Sequence, residues 1–265
     1  MPELFAKSKH ETRWPIKQRS LTLPGESLQT ESFFLILQFA AYCVIPLGMI
    51  ALALLEWIRY WFKVPPTPVY TSIVCGVVAA YCVYKLLGVW RKIDPLIMAV
   101  RGERIVGQML ETLRAKGYQV FHDLQEDGYN IDHVIVGPGG VFAVETKTRS
   151  KPAKGREVIS YDGVCVRLPG GVADDAPIIQ AKAAARRVRE IIRQHIGREV
   201  PVRAAVIYPG WFVECMVKDA EVTVANANYF AKSFESHHSN GKQVLKPDDV
   251  AFYAAALDKY VRARE

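Results

Sequence analysis

Two acids on neighbouring strands are brought face to face by a single turn. The stretch Val136-Gly137-Pro138-Gly139-Gly140-Val141 reads as a tight connection between two β-branched runs, 131–136 and 141–148. Pairing Val136 with Val141 and stepping back along both strands places Asp132 directly opposite Glu145. Facing residues of an antiparallel pair share one side of the sheet, with Cβ atoms about 4.5–5.5 Å apart, and two like charges there repel. A cation is needed between them. Alternation puts Val141, Ala143, Glu145 and Lys147 on one face and Phe142, Val144 and Thr146 on the other, so Lys147 joins the two carboxylates.

A third acid comes from the preceding helix. Glu103 lies in the same row as Val100, Val106, Gly107 and Leu110, which aims it at the core. An inward carboxylate is costly unless it is paired, protonated or bound to metal. Three carboxylates and one lysine suit a hard, oxygen-preferring cation, Mg²⁺ or Mn²⁺. Such an ion lowers the pKa of bound water and stabilises charge building on a phosphodiester. A buried salt-bridge cluster, with Lys147 as the only neutralising charge, remains equally open on these residues alone.

Weaker candidates surround this set. His133 alternates to the face opposite Asp132 and reads as a packed, hydrogen-bonded core histidine. Arg149, Lys151, Lys154 and Arg156 follow Lys147 in a loop and are placed to hold a nucleic-acid backbone. Lys182, Arg186, Arg189 and Arg193 form a basic helical stripe that reads as a solvated face or a contact for anionic lipid.

The elements that must carry these residues are legible from periodicity. Asp94-Pro95 is a plausible helix start, with apolar residues at helical spacing as far as Lys116-Gly117. Strands follow at 118–122, 131–136 and 141–148, then a hairpin from 158–160 and 164–168 around Tyr161-Asp162-Gly163. A helix at 177–196, strands at 202–208 and 222–224 and an amphipathic helix at 248–262 complete an α/β layered core around a small mixed sheet.

Ahead of this domain, 33–55 and 69–90 are almost free of charge, and each is long enough to cross a hydrocarbon core of about 30 Å. Trp57, Tyr60, Trp61 and Phe62 beside Arg59 and Lys63 suit the membrane–water interface of the connecting loop. Pro46 is expected to kink the first span. The predicted organisation is a disordered cytoplasmic tail at 1–30, a transmembrane hairpin at 31–93 and a soluble domain at 94–265. Lys7, Lys9, Arg13, Lys17 and Arg19 precede the first span and Arg91, Lys92, Arg101 and Arg104 follow the second, which predicts both termini in the cytoplasm. Cys43, Cys75 and Cys82 fall in the spans and Cys165 and Cys215 stand apart, with neither a disulfide framework nor a CxxC metal pattern. A transporter is disfavoured, because the spans carry no acidic pair or polar row. The net charge of +7 and pI near 9.1 suit a polyanionic partner, lipid or nucleic acid.

Gly102-Glu103, Gly117-Tyr118, Asn130-Ile131-Asp132-His133-Val134-Ile135-Val136-Gly137-Pro138, Gly140-Val141-Phe142 and Glu145-Thr146-Lys147 together resemble the NERD (nuclease-related) domain over about 101–208. This is a branch of the PD-(D/E)xK restriction-endonuclease-like superfamily. The resemblance implies that Asp132 and Glu145, with Glu103, ligate the metal and that Lys147 positions or deprotonates the attacking water. It also implies Gln180 as an accessory. On a helical face with Ala184, Val188 and Ile191, Gln180 is expected to point at the sheet. The superfamily's proline before the metal-binding Asp is Ile131 here. The expected protein is a membrane-anchored, metal-dependent nuclease of the inner membrane, acting on DNA in preference to RNA. The alternative is a silent nuclease-like module that binds nucleic acid or a protein partner at the membrane.

Overall fold

The computed structural model describes residues 23–65, 68–151, 158–239 and 244–264. Helices α1 (Glu26–Trp61) and α2 (Pro68–Glu111) form an antiparallel pair. Phe39 stacks on Trp90 and Cys75 Sγ donates to the Met49 carbonyl at 3.1 Å. Phe33, Leu37, Leu47, Leu54, Val77 and Leu87 point outward and are exposed. Both helices are long and apolar enough to cross a membrane, and the expected spans lie inside them.

Of the tail expected at 1–30, residues 1–22 lie outside the described residues, and α1 begins at Glu26 behind Gly25, which sits at φ 71°. One expectation is corrected: the helix start at Asp94-Pro95 is absent. Helix α2 runs through it with Pro95 in its interior. A cap is needed where a helix nucleates, and here the helix already exists upstream, so Pro95 removes one backbone bond without ending it. At 44 residues, α2 is about 66 Å long, more than twice the thickness of a hydrocarbon core. The helix that carries Glu103 is thus the same one that forms the second apolar stretch.

A 3₁₀ turn, Thr112–Lys116, stops at Gly117, whose φ of 82° is a left-handed cap. Strands β1 (Gln119–Glu126), β2 (Tyr129–Gly137) and β3 (Gly140–Thr146) form an antiparallel meander. Helix α3 (Ala176–Ile196) then crosses over to β7 (Val202–Ile207), and β9 (Val222–Ala225) follows. Both run parallel to β3, giving a five-stranded sheet in the order β1-β2-β3-β7-β9.

The sequence did not reveal that the expected hairpin belongs to a second sheet. It contains β4 (Val158–Tyr161), β5 (Val166–Arg167), β6 (Ala173–Asp174) and β8 (Phe212–Cys215) in the order β6-β5-β4-β8. Helix α4 (Ala227–Ser239) was likewise unforeseen, and α5 (Pro247–Arg264) ends the described chain.

Alternation divides the main sheet between two cores. Val134, Val136, Val141, Ala143 and Val206 pack against Ile178, Ala181 and Val188 of α3 and Leu257 of α5. On the other face Val120, Ile135, Phe142, Val144 and Ile207 pack against Val106 and Leu110 of α2 and Phe230 and Phe234 of α4. The result is mixed sheets flanked by helices, the expected class.

Candidate functional site

The turn after β2 sets the register. Val136 pairs with Val141 and His133 with Val144, and the described pairing stops there. One step further lie Asp132 and Glu145, where the two strands part. Strand β3 continues against β7, with Glu145 beside Val206 and the Lys147 amide donating to the Ile207 carbonyl at 2.9 Å. Asp132 bridges the fork, since its Oδ2 accepts the backbone N–H of Thr146 at 2.6 Å. Gly137 is required beside this turn, because a Cβ there would lie 1.9 Å from the Tyr118 ring.

Glu145 and Glu103 are both 9% exposed. Lys147 Nζ pairs with Glu145 Oε1 at 2.7 Å. Glu103 arrives from α2, which packs on the face opposite Val141 and Ala143, yet it interacts with Glu145 and Lys147. Gly102 permits the approach, since a Cβ there would stand 1.9 Å from Thr148 Oγ1 and 3.1 Å from its Cβ.

Electrostatics follow from this crowding. Burial, then repulsion by Asp123 and Glu145, pushes the Glu103 carboxyl up from 4.5 to about 7, with Lys147 opposing. Asp132 is raised well above the usual carboxylate range by burial and by repulsion from Glu145 and Glu103, against the Thr146 N–H and Lys147. One lysine does not balance the set. Among the described residues no three His, Cys, Asp or Glu side chains form a ready cage for a metal ion. The donors are nevertheless hard oxygens, and Mg²⁺ takes one or two carboxylates with water and substrate oxygens completing its shell. In donor chemistry, though not in a ready-made cage, the set suits such an ion.

Other expected site residues fall into place unevenly. Gln180 does not point into the core: it is exposed. Ala184 and Val188 of its row are buried, as are Pro177, Ile178 and Ala181 around it, so Gln180 sits at the edge of the buried face of α3 rather than on it. Arg149 Nη2 pairs with Asp174 Oδ2 at 2.7 Å, and Lys151 Nζ stands 5.9 Å over the Trp211 ring. Lys154 and Arg156 lie outside the described residues. In the basic stripe, Lys182 bonds Glu221 and Arg193 bonds Glu190.

His133 is fully buried, as expected, and its Nδ1 lies 2.9 Å from Nδ1 of His122, whose Nε2 is 2.7 Å from Glu111 Oε1. Burial depresses the pKa of both imidazoles. With both rings neutral, His122 Nε2–H donates to Glu111 and His133 Nδ1–H donates to His122 Nδ1. This leaves His133 Nε2 as a bare acceptor, in keeping with its lack of a partner among the described residues.

Three neighbours of the fork were not foreseen. Asp123, 2% exposed at φ 51°, adds a fourth acid near Glu103. Gly25 of the α1 cap approaches the same carboxylate, for a Cβ there would lie 3.2 Å from Glu103 Oε2. Tyr208 has a buried hydroxyl with no partner among the described residues, raised to about 12 by burial and by Asp174, with Glu145 and Arg149 also in reach. No periodicity marks any of the three. Asp123 stands in register with Asp132, and that is the one signal available in sequence.

Residues 99–209 match the family model described as the nuclease-related domain, NERD. The resemblance expected over about 101–208 is thereby borne out. No curated protein and no solved structure matches the chain.

Proposed function

We propose that the chain is a membrane-anchored, metal-dependent nuclease that hydrolyses phosphodiester bonds in DNA, in preference to RNA. The observation that carries this reading is the imbalance at the fork. Lys147 is engaged with Glu145, while Glu103 and Asp132 are left with raised carboxyl pKa values and mutual repulsion. A divalent cation answers that imbalance, and the NERD match supplies the chemical class.

Asp132, Glu145 and Glu103 would hold the ion. When bound, Mg²⁺ or Mn²⁺ supplies Lewis acidity and an acidified water. The remaining work belongs to the chain. The Thr146 N–H holds Asp132 in one orientation. Lys147, fixed by its pair with Glu145, orients the attacking water and offers a cation to charge developing on the phosphate. Gln180, exposed at the start of α3, is an accessory contact for substrate. Arg149, Lys151, Lys154 and Arg156 bind the nucleic-acid backbone.

Helices α1 and α2 are assigned to the membrane, with the N-terminus and the C-terminal domain in the cytoplasm of a bacterial-type cell. If α2 leaves the bilayer near Trp90, Glu103 stands only about 20 Å further along the helix, so cleavage takes place close to the membrane. The domain division at residue 94 then marks a change of surroundings within one helix.

The test is cleavage of plasmid, linear and single-stranded DNA by the purified full chain in detergent, with and without Mg²⁺. Metal-dependent products are expected. Nucleic-acid binding without turnover under any divalent ion assigns a silent module instead.

A further inference from the structure

A cleft of about 590 Å³ is lined by Ile105 and Met109 of α2, Pro209–Phe212 and Asn226–Asn228. It lies at the carboxyl ends of parallel strands β7 and β9. The same end of β3 carries Glu145 and Lys147. Crevices at that edge of a parallel sheet are where ligands bind in open α/β folds.

The lining is unusual for a solvated loop. Phe212, which opens β8, is 62% exposed and Ile105 of α2 52% exposed, and neither belongs to the two cores of the domain. Trp211, also in the lining, is buried, and its indole donates to the Arg149 carbonyl at 3.1 Å. The apolar lining is thus tied to the strand that leaves Lys147, and Lys151 lies over the same indole. Asn228, also exposed, offers an amide donor and acceptor. Exposed apolar side chains, an amide and adjacent cations match the chemistry of a nucleotide, with the ring against the apolar lining and the phosphate toward the cations.

We propose that this cleft takes an unpaired base of the strand being cut, next to the phosphate at the fork. A base in a duplex is stacked on both sides and cannot enter, so single-stranded or locally opened substrate is selected. This inference rests on the nuclease reading above and adds the strand preference.

The experiment uses the full chain in nanodiscs with EDTA present, to prevent cleavage. Fluorescence anisotropy is read with a labelled 12-nucleotide single strand, the same strand carrying one abasic residue, and the matching duplex. Wild type should bind the intact strand about tenfold or more tighter than the strand whose abasic residue falls at the cleft. Phe212→Ala, and independently Ile105→Ser, should remove that discrimination while leaving the salt slope unchanged, because phosphate contacts are untouched. Unaltered Mn²⁺ titration shows that the variants are folded. If wild type ignores the missing base, or both variants retain full discrimination, while metal-dependent cleavage persists, the cleft assignment is overturned and the nuclease reading stands. If the wild-type chain neither binds nor cuts any nucleic acid, both fall together.

Discussion

Asp132 Oδ2 holds the backbone N–H of Thr146 at 2.6 Å, so the acid of one strand is tied to the strand that carries Glu145 and Lys147. The bond orients Asp132, but it does not remove the repulsion among the acids. The metal-free protein is therefore strained electrostatically at neutral pH, and that has a measurable sign.

Glu103 titrates at about 7 in the fold against an ordinary 4.5. A raised carboxyl favours the protonated form, so its contribution is fully present below the ordinary value and is lost as pH rises through about 7. The difference is on the order of 3 kcal/mol. Thermal melts in EDTA should show Glu103→Gln gaining stability over wild type between pH 5 and pH 8, with Mn²⁺ closing the gap by stabilising wild type alone. A pH-independent difference would mean that Glu103 carries no such strain.

The approach of α2 to β3 depends on Gly102. A Cβ at that position meets Thr148, so Gly102→Ala should cost about 1–3 kcal/mol by overpacking and displace Glu103, lowering cleavage. Thr148→Ala removes most of the obstructing side chain. The double variant should be less destabilised than the sum of the singles. Additive losses in melts of all three would show that the two residues do not meet.

Replacing Arg149, Lys151 and Lys154 together should weaken DNA binding for every sequence alike. The slope of log K against log salt should fall by about 0.9 per lost contact on duplex. An unchanged slope would give the loop to lipid or solvent.

A reporter fused after Glu265 should be cytoplasmic, given the basic residues flanking the two apolar helices. Cysteine labelling that places the C-terminal domain outside would remove the case for a DNA substrate.

What could be seen in advance follows from the range of each interaction. The turn at Gly137–Gly140 is local, so the sequence carries the register as far as His133 and Val144; the parting of the strands at Asp132 and Glu145 is not local and could not be read from it. The row of Glu103 is as local as the turn. Gln180 differs from expectation because it lies at the edge of the apolar face of α3, where Pro177, Ile178 and Ala181 are buried and the row alone does not say how wide the covered stripe is. The Asp94-Pro95 signal failed because a helix already running needs no new start. Tyr208, whose buried hydroxyl lacks a partner among the described residues, and the Phe212 cleft depend on elements far apart in the chain. Strands β6 and β8, of 2 and 4 residues, are too short to show a period.

Calorimetric titration with Mn²⁺ tests the central claim most directly. Wild type should bind the ion. Asp132→Asn should lose both binding and cleavage, because an amide is a far poorer ligand for a hard cation. Lys147→Ala should still bind Mn²⁺, at a site now more negative, and lose cleavage while retaining DNA affinity. No binding by wild type, together with a loss of roughly 3–5 kcal/mol of stability in Lys147→Ala, the cost of breaking a buried pair, would make the acidic fork a structural ion cluster and contradict the nuclease reading.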